Sequence, residues 1–179
     1  KPDTTVLNDN KILMINSGDT NSSCGYKSSN FTLSADSHYV ITFKAYTENT
    51  QTTANSTGHT AFATAFLSGD ASDAVASNVL NISTASGKSS NWQNYSIFVE
   101  TDQINNKTLN LELWLGEKDG NGSNGAVFFD DVKVTCYDND TYSTIKAGRD
   151  ANRSMVVNFN TNYVNNFISN PSFENGLNY

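Results

Sequence analysis

Charge is scarce in this chain. Only 16% of its 179 residues are Asp, Glu, Lys or Arg, so Asn, Ser and Thr carry its polarity. Helical surfaces favour long charged side chains of high helix propensity, so this composition argues against an all-helical protein. Basic residues are the scarcer sign. The formal net charge is −7, which speaks against a phosphate-binding surface and so against nucleic acid as a partner. No apolar run approaches the roughly 18 residues of a membrane span, so no membrane insertion is expected. Histidine occurs only as His38 and His59, and there is no G-x-S-x-G, H-E-x-x-H or glycine-rich phosphate loop. The chain is therefore read as a non-enzyme. Proline occurs twice, which leaves strands largely uninterrupted. Cysteine also occurs twice, as Cys24 and Cys136, at a spacing that fits no zinc or redox motif. A disulfide and two core thiols both remain open.

What the chain does have is alternation. Apolar residues at period two, separated by polar loops, mark eight strand segments. They are KILMI (11–15), GYKSSNFTL (25–33), HYVITFKAYT (38–47), TAFATAFL (60–67), NVLNIST (78–84), NWQNYSIFVET (91–101), KTLNLELWLG (107–116) and GAVFFDDVKV (125–134). Tyr39, Ile41, Phe43 and Ala45 share one face, as do Tyr95, Ile97 and Val99, and as do Leu109, Leu111, Leu113 and Leu115. One buried face and one solvated face predict antiparallel pairing. Eight or nine such strands without a convincing helix predict an all-β fold, an antiparallel jelly-roll β-sandwich. The sandwich is expected over 1–137. Residues 138–179 read as a linker or extra layer, with MVVNFNTNYV offering one further strand and 170–179 looking like the start of a module.

GAVFFDDVKV carries the oddest feature. Strict alternation puts Phe128, Asp130, Val132 and Val134 on one apolar, core-like face, with Asp131 opposite beside Val127 and Phe129. An inward Asp130 requires a partner, because a buried, unpaired carboxylate costs several kcal/mol, on the order of 3 or more. Backbone N–H groups, a tyrosine hydroxyl or a calcium ion would each serve. The same parity separates the two aspartates, so they are not expected to act as a catalytic pair. EKDGNGSNG (117–125) has partial calcium-loop spacing but reads better as a glycine-rich hairpin loop.

The order HYVITFKAYTE, NWQNYSIFV and LNLELWLGEKDGNGSNGAVFFDDVKV resembles the galactose-binding-like jelly roll, and most nearly the carbohydrate-binding modules of families 4, 9 and 22. The resemblance spans about residues 11–136. It implies a non-catalytic module of a secreted or cell-surface protein that binds a polysaccharide or other glycan, with tandem neighbouring domains. It also implies a structural Ca²⁺ held between Asp130 and Glu174 of the C-terminal NPSFENG, if that segment returns to this sandwich rather than opening a next repeat. It assigns Trp92 to the core. Alternation against the leucines turns Trp114 outward with Glu112 and Asn110, and Tyr46 lies outward on its own strand. A tryptophan face beside an amide and a carboxylate suits a sugar ring and its hydroxyls. These four are the candidate ligand residues. The alternative is a structural or adhesive repeat that binds no sugar.

Overall fold

The computed structural model describes residues 11–18, 23–48, 63–69, 78–82, 91–118 and 122–160, together with the backbone of 4–6 and 49–52. Among these residues eleven strands form two stacked sheets, an all-β sandwich. They are β1 (Thr4–Val6), β2 (Leu13–Ser17), β3 (Cys24–Lys27), β4 (Phe31–Leu33), β5 (His38–Thr52), β6 (Ala63–Gly69), β7 (Leu80–Ile82), β8 (Gln93–Glu100), β9 (Lys107–Leu115), β10 (Ser123–Tyr137) and β11 (Ser154–Asn158). The first sheet runs β1-β10-β5-β8-β11, with β2 also paired to β10. The second runs β3-β9-β6-β7, with β4 also paired to β9. Every pairing is antiparallel except β11 on β8.

Between the sheets lies one core, built by the period-two residues of the long strands. Ile41, Phe43 and Ala45 on β5 and Tyr95, Ile97 and Val99 on β8 face all four leucines of β9. Each fully buried Leu, Ile or Phe contributes about 1.5–3 kcal/mol. Alternation therefore sets the register, since a one-residue slip would turn a whole row into water. On β6 the core face is Ala63, Ala65 and Leu67, and Phe66 points outward. GYKSSNFTL forms two strands rather than one. Its Ser28–Asn30 break is pinned by Asn110, whose Nδ2 donates to Ser28 O at 2.8 Å and to Asn30 Oδ1 at 2.6 Å. Cys24 and Cys136 stand in different sheets as free thiols.

β10 corrects the strict-parity expectation. Ahead of the two aspartates Val127 and Phe129 are buried, and Asp130 is only half-buried. Asp130 pairs with Lys44 and Lys133 with Thr42, so three steps on β10 match two on β5. The extra residue is a β-bulge. Asp131 takes the turn at φ 53, a left-handed conformation that Asp tolerates better than most residues. Its N–H donates to Asp130 Oδ1 at 2.7 Å. The bulge reverses the phase, and Val134 returns to the core. Asp130 thus lies on the outer face opposite Lys44, and Asp131 reaches the same Lys44 ammonium at 2.6 Å. Parity does not separate the two aspartates.

The segment after β10 holds a helix that apolar periodicity does not announce, α1 (Asn139–Ala147). Asp138 caps it, accepting from Thr141 N at 2.8 Å, and Gly148 follows its last turn. α1 buries Tyr142 on Val40 and Phe98, over the outer face of the first sheet. Lys146 ties it to Glu100 at 2.5 Å. A short 3-10 turn (Ala151–Arg153) then leads into β11 at the sheet edge.

Candidate functional site

The candidate ligand residues divide between two surfaces. Asn110, Glu112 and Trp114 stand in a row on the outer face of the second sheet, whereas Tyr46 stands on the outer face of the first. Glu112 is only 1% exposed. Trp114 Nε1 donates to its Oε2 at 3.0 Å, and Lys118 Nζ lies 3.1 Å from the same oxygen. Burial pushes the Glu112 carboxyl up, but Ser68, Lys118 and Trp114 more than offset that and hold it below the ordinary range. The Trp114 indole lies flat against Gly25, where a Cβ would come within 2.2 Å of the ring. With its N–H taken and one face on backbone, Trp114 acts as a clamp on its own sheet. Asn110 is spent on the Ser28–Asn30 break.

On the first sheet the arrangement is open. Met14, Phe128, Tyr46 and Trp92 follow one another across β2, β10, β5 and the start of β8. Tyr46 lies 5.6 Å from the Phe128 ring and 6.0 Å from that of Trp92. Trp92, expected in the core, is 40% exposed. It heads a trench of about 490 Å³. Trp92, Asn94, Ser96 and Phe98, alternate residues along β8, make its floor. Ile145, Gly148, Arg149, Asp150, Arg153 and Ser154 make its wall. The wall stands where it does because α1 seals only the Val40–Phe98 end of this face.

The wall is itself organised. Asp150 Oδ1 accepts from Asn152 N at 2.9 Å, and Oδ2 accepts from Arg153 Nε at 2.9 Å. These contacts hold its carboxyl below the usual range, the Asn152 N–H first and then Arg153. Arg153 also donates to Gln93 Oε1, which ties the wall to the start of β8.

A second concavity of about 330 Å³ opens between the sheets at the β10 bulge. Leu111, Leu113 and Phe129 form its apolar floor, and Tyr26, Lys11, Asp130 and Asp131 stand at its mouth. Among the described residues no three His, Cys, Asp or Glu side chains gather as a metal would require. Glu174, the expected calcium partner of Asp130, lies outside the described residues. The trench was missed from sequence because its wall comes from a segment without apolar period. The signal that could have found it is the Asp138 cap and the Gly148 stop, which together announce a helix that must pack somewhere. Comparison with family models, curated proteins and solved structures finds no match to this chain.

Proposed function

We propose that this sandwich is a non-catalytic carbohydrate-binding module, of the galactose-binding-like jelly-roll type that its sequence resembles, belonging to a secreted or cell-surface protein. One observation supports the reading above others. The exposed Trp92 heads a trench whose floor and wall present Asn94, Ser96, Gln93 and Arg149. An aromatic face stacks on the C–H side of a sugar ring, while amides, hydroxyls and guanidinium groups take its hydroxyls. The Asp150–Arg153–Gln93 chain holds the wall in place before any ligand arrives, which lowers the ordering cost of binding. The site in this reading is the Trp92 trench, with Tyr46 supporting Trp92 from the side, and Trp114 has a structural role.

The test is a glycan array probed with the wild-type protein, Trp92→Ala and Trp114→Ala. Wild type is expected to bind a subset of glycans. Trp92→Ala is expected to lose at least about tenfold in affinity at unchanged melting temperature, equivalent to about 1.4 kcal/mol. Trp114→Ala is expected to lower the melting temperature and to retain binding while folded. A wild-type protein that binds no glycan would leave the structural or adhesive repeat as the better reading. That alternative draws on the exposed apolar row ending at Met14, which suits a protein partner equally well.

A further inference from the structure

We infer that the saccharide taken by the Trp92 trench is anionic, carrying a carboxylate or a sulfate that Arg149 recognises. The inference rests on the carbohydrate-binding reading above. It begins with the ion-paired cations among the described residues, leaving aside Lys11, Lys27 and Lys133, which do not line the trench. Lys44, Lys107, Lys118, Lys146 and Arg153 each have a carboxylate within 3.1 Å: Asp131, Asp102, Glu112, Glu100 and Asp150 respectively. Arg149 has no carboxylate partner among the described residues. Among the described residues its guanidinium makes one hydrogen bond, Nη1 donating to the carbonyl of Lys146 at 2.8 Å, which holds the side chain against the end of α1.

The other polar groups of the wall are already committed. Asp150 gives one oxygen to Asn152 N and the other to Arg153, and Arg153 is divided between Asp150 and Gln93. Among the charged lining residues, Arg149 and Arg153 outnumber Asp150, so the trench is locally positive on a chain whose net charge is −7. A general anion attraction would need a basic surface, and this surface is acidic. The positive site is local and lines the same trench as the exposed indole of Trp92. A guanidinium anchored at one nitrogen and free at the others offers a planar fork that matches carboxylate and sulfate oxygens. A neutral sugar would use that fork only as an ordinary donor.

The test uses the full chain on an array holding uronate, sialylated, sulfated and neutral glycans. The strongest acidic hit is then titrated against wild type, Arg149→Met and Arg149→Lys. Hits are expected among the anionic glycans, and the carboxylated and sulfated groups separate the two possible headgroups. Arg149→Met is expected to weaken the acidic hit by about tenfold or more and its methyl-esterified or desulfated form by several-fold less than that. Arg149→Lys is expected to recover only part of the loss, because it restores the charge without the fork. Hits dominated by neutral glycans, or equal binding of the acid and its neutral form, would overturn the anionic inference and leave the carbohydrate reading standing. An equal loss of both forms in Arg149→Met would also overturn it, since Arg149 would then only hold the wall. The absence of any glycan hit would bring down both.

Discussion

A carboxylate with almost no access to water survives only if its neighbours replace that water. Glu112 is such a group, held by the Lys118 ammonium and by the edge N–H of the Trp114 indole, whose ring lies on Gly25. Its pKa is depressed in the fold, because Ser68, Lys118 and Trp114 outweigh the upward push of burial. A depressed folded value contributes stability that is present above the ordinary glutamate pKa of roughly 4.3 and is lost as pH falls through the folded value. Glu112→Gln is therefore expected to lower unfolding free energy by about 1.5–3 kcal/mol at pH 7, the worth of hydrogen bonds to a charged group. The deficit should shrink as pH drops below the carboxylate range. Urea titrations at neutral and acid pH read both quantities. A deficit independent of pH would mean that the charge of Glu112 does not hold the clamp.

At the scale of the element, the bulge in β10 decides most. Asp131 sits at φ 53, where a β-branched residue is strained by about 1–2 kcal/mol and glycine is not. Asp131→Val is expected to cost about that much. Asp131→Gly is expected to stay within about 1 kcal/mol of wild type, since the exposed pair with Lys44 contributes little. Urea denaturation of the two variants separates them. The bulge also marks where the sequence stops being readable. Along β5, β8 and β9, strict alternation holds, and the residues it assigns to the core are in the core or packed against it, with Tyr39 at its margin. In β10 one extra residue shifts the phase, and nothing in FFDDVKV distinguishes a bulge from a regular strand. Phe128 and Asp130 were therefore expected inward and stand outward. The helix α1 was missed for a related reason. It buries one side chain, Tyr142, on a small satellite cluster rather than a stripe on the main core, so it needs no apolar period. For the candidate site, which tryptophan stands clear was not legible in the sequence. That depends on Gly25 lying under Trp114 and on α1 covering only one end of the first sheet.

For the whole molecule, α1 and β11 are tied to the sandwich at several points. Tyr142 packs on Val40 and Phe98, β11 pairs along β8, and Phe159 N donates to Glu100 O at 2.8 Å. Tyr142→Ala is expected to cost about 3–5 kcal/mol, the usual penalty for emptying a buried aromatic site. Calorimetry is expected to show one transition in both proteins, shifted down in the variant. A separate low-temperature transition would mean that this layer unfolds by itself. The strand order has a mechanical consequence as well. Among the described residues β1 and β11 are the two edges of the same sheet, four strand spacings or about 19 Å apart. The start of β1 at Thr4 and the end of β11 at Asn158 lie at the same end of that sheet, near the Tyr137–His38–Glu100 row. Tension drawn through these two points pulls across the strands rather than along them. The hydrogen-bond rungs then open in turn from that end, like a zip, and Trp92, at the far end of β8, is the last part of the trench to feel the load.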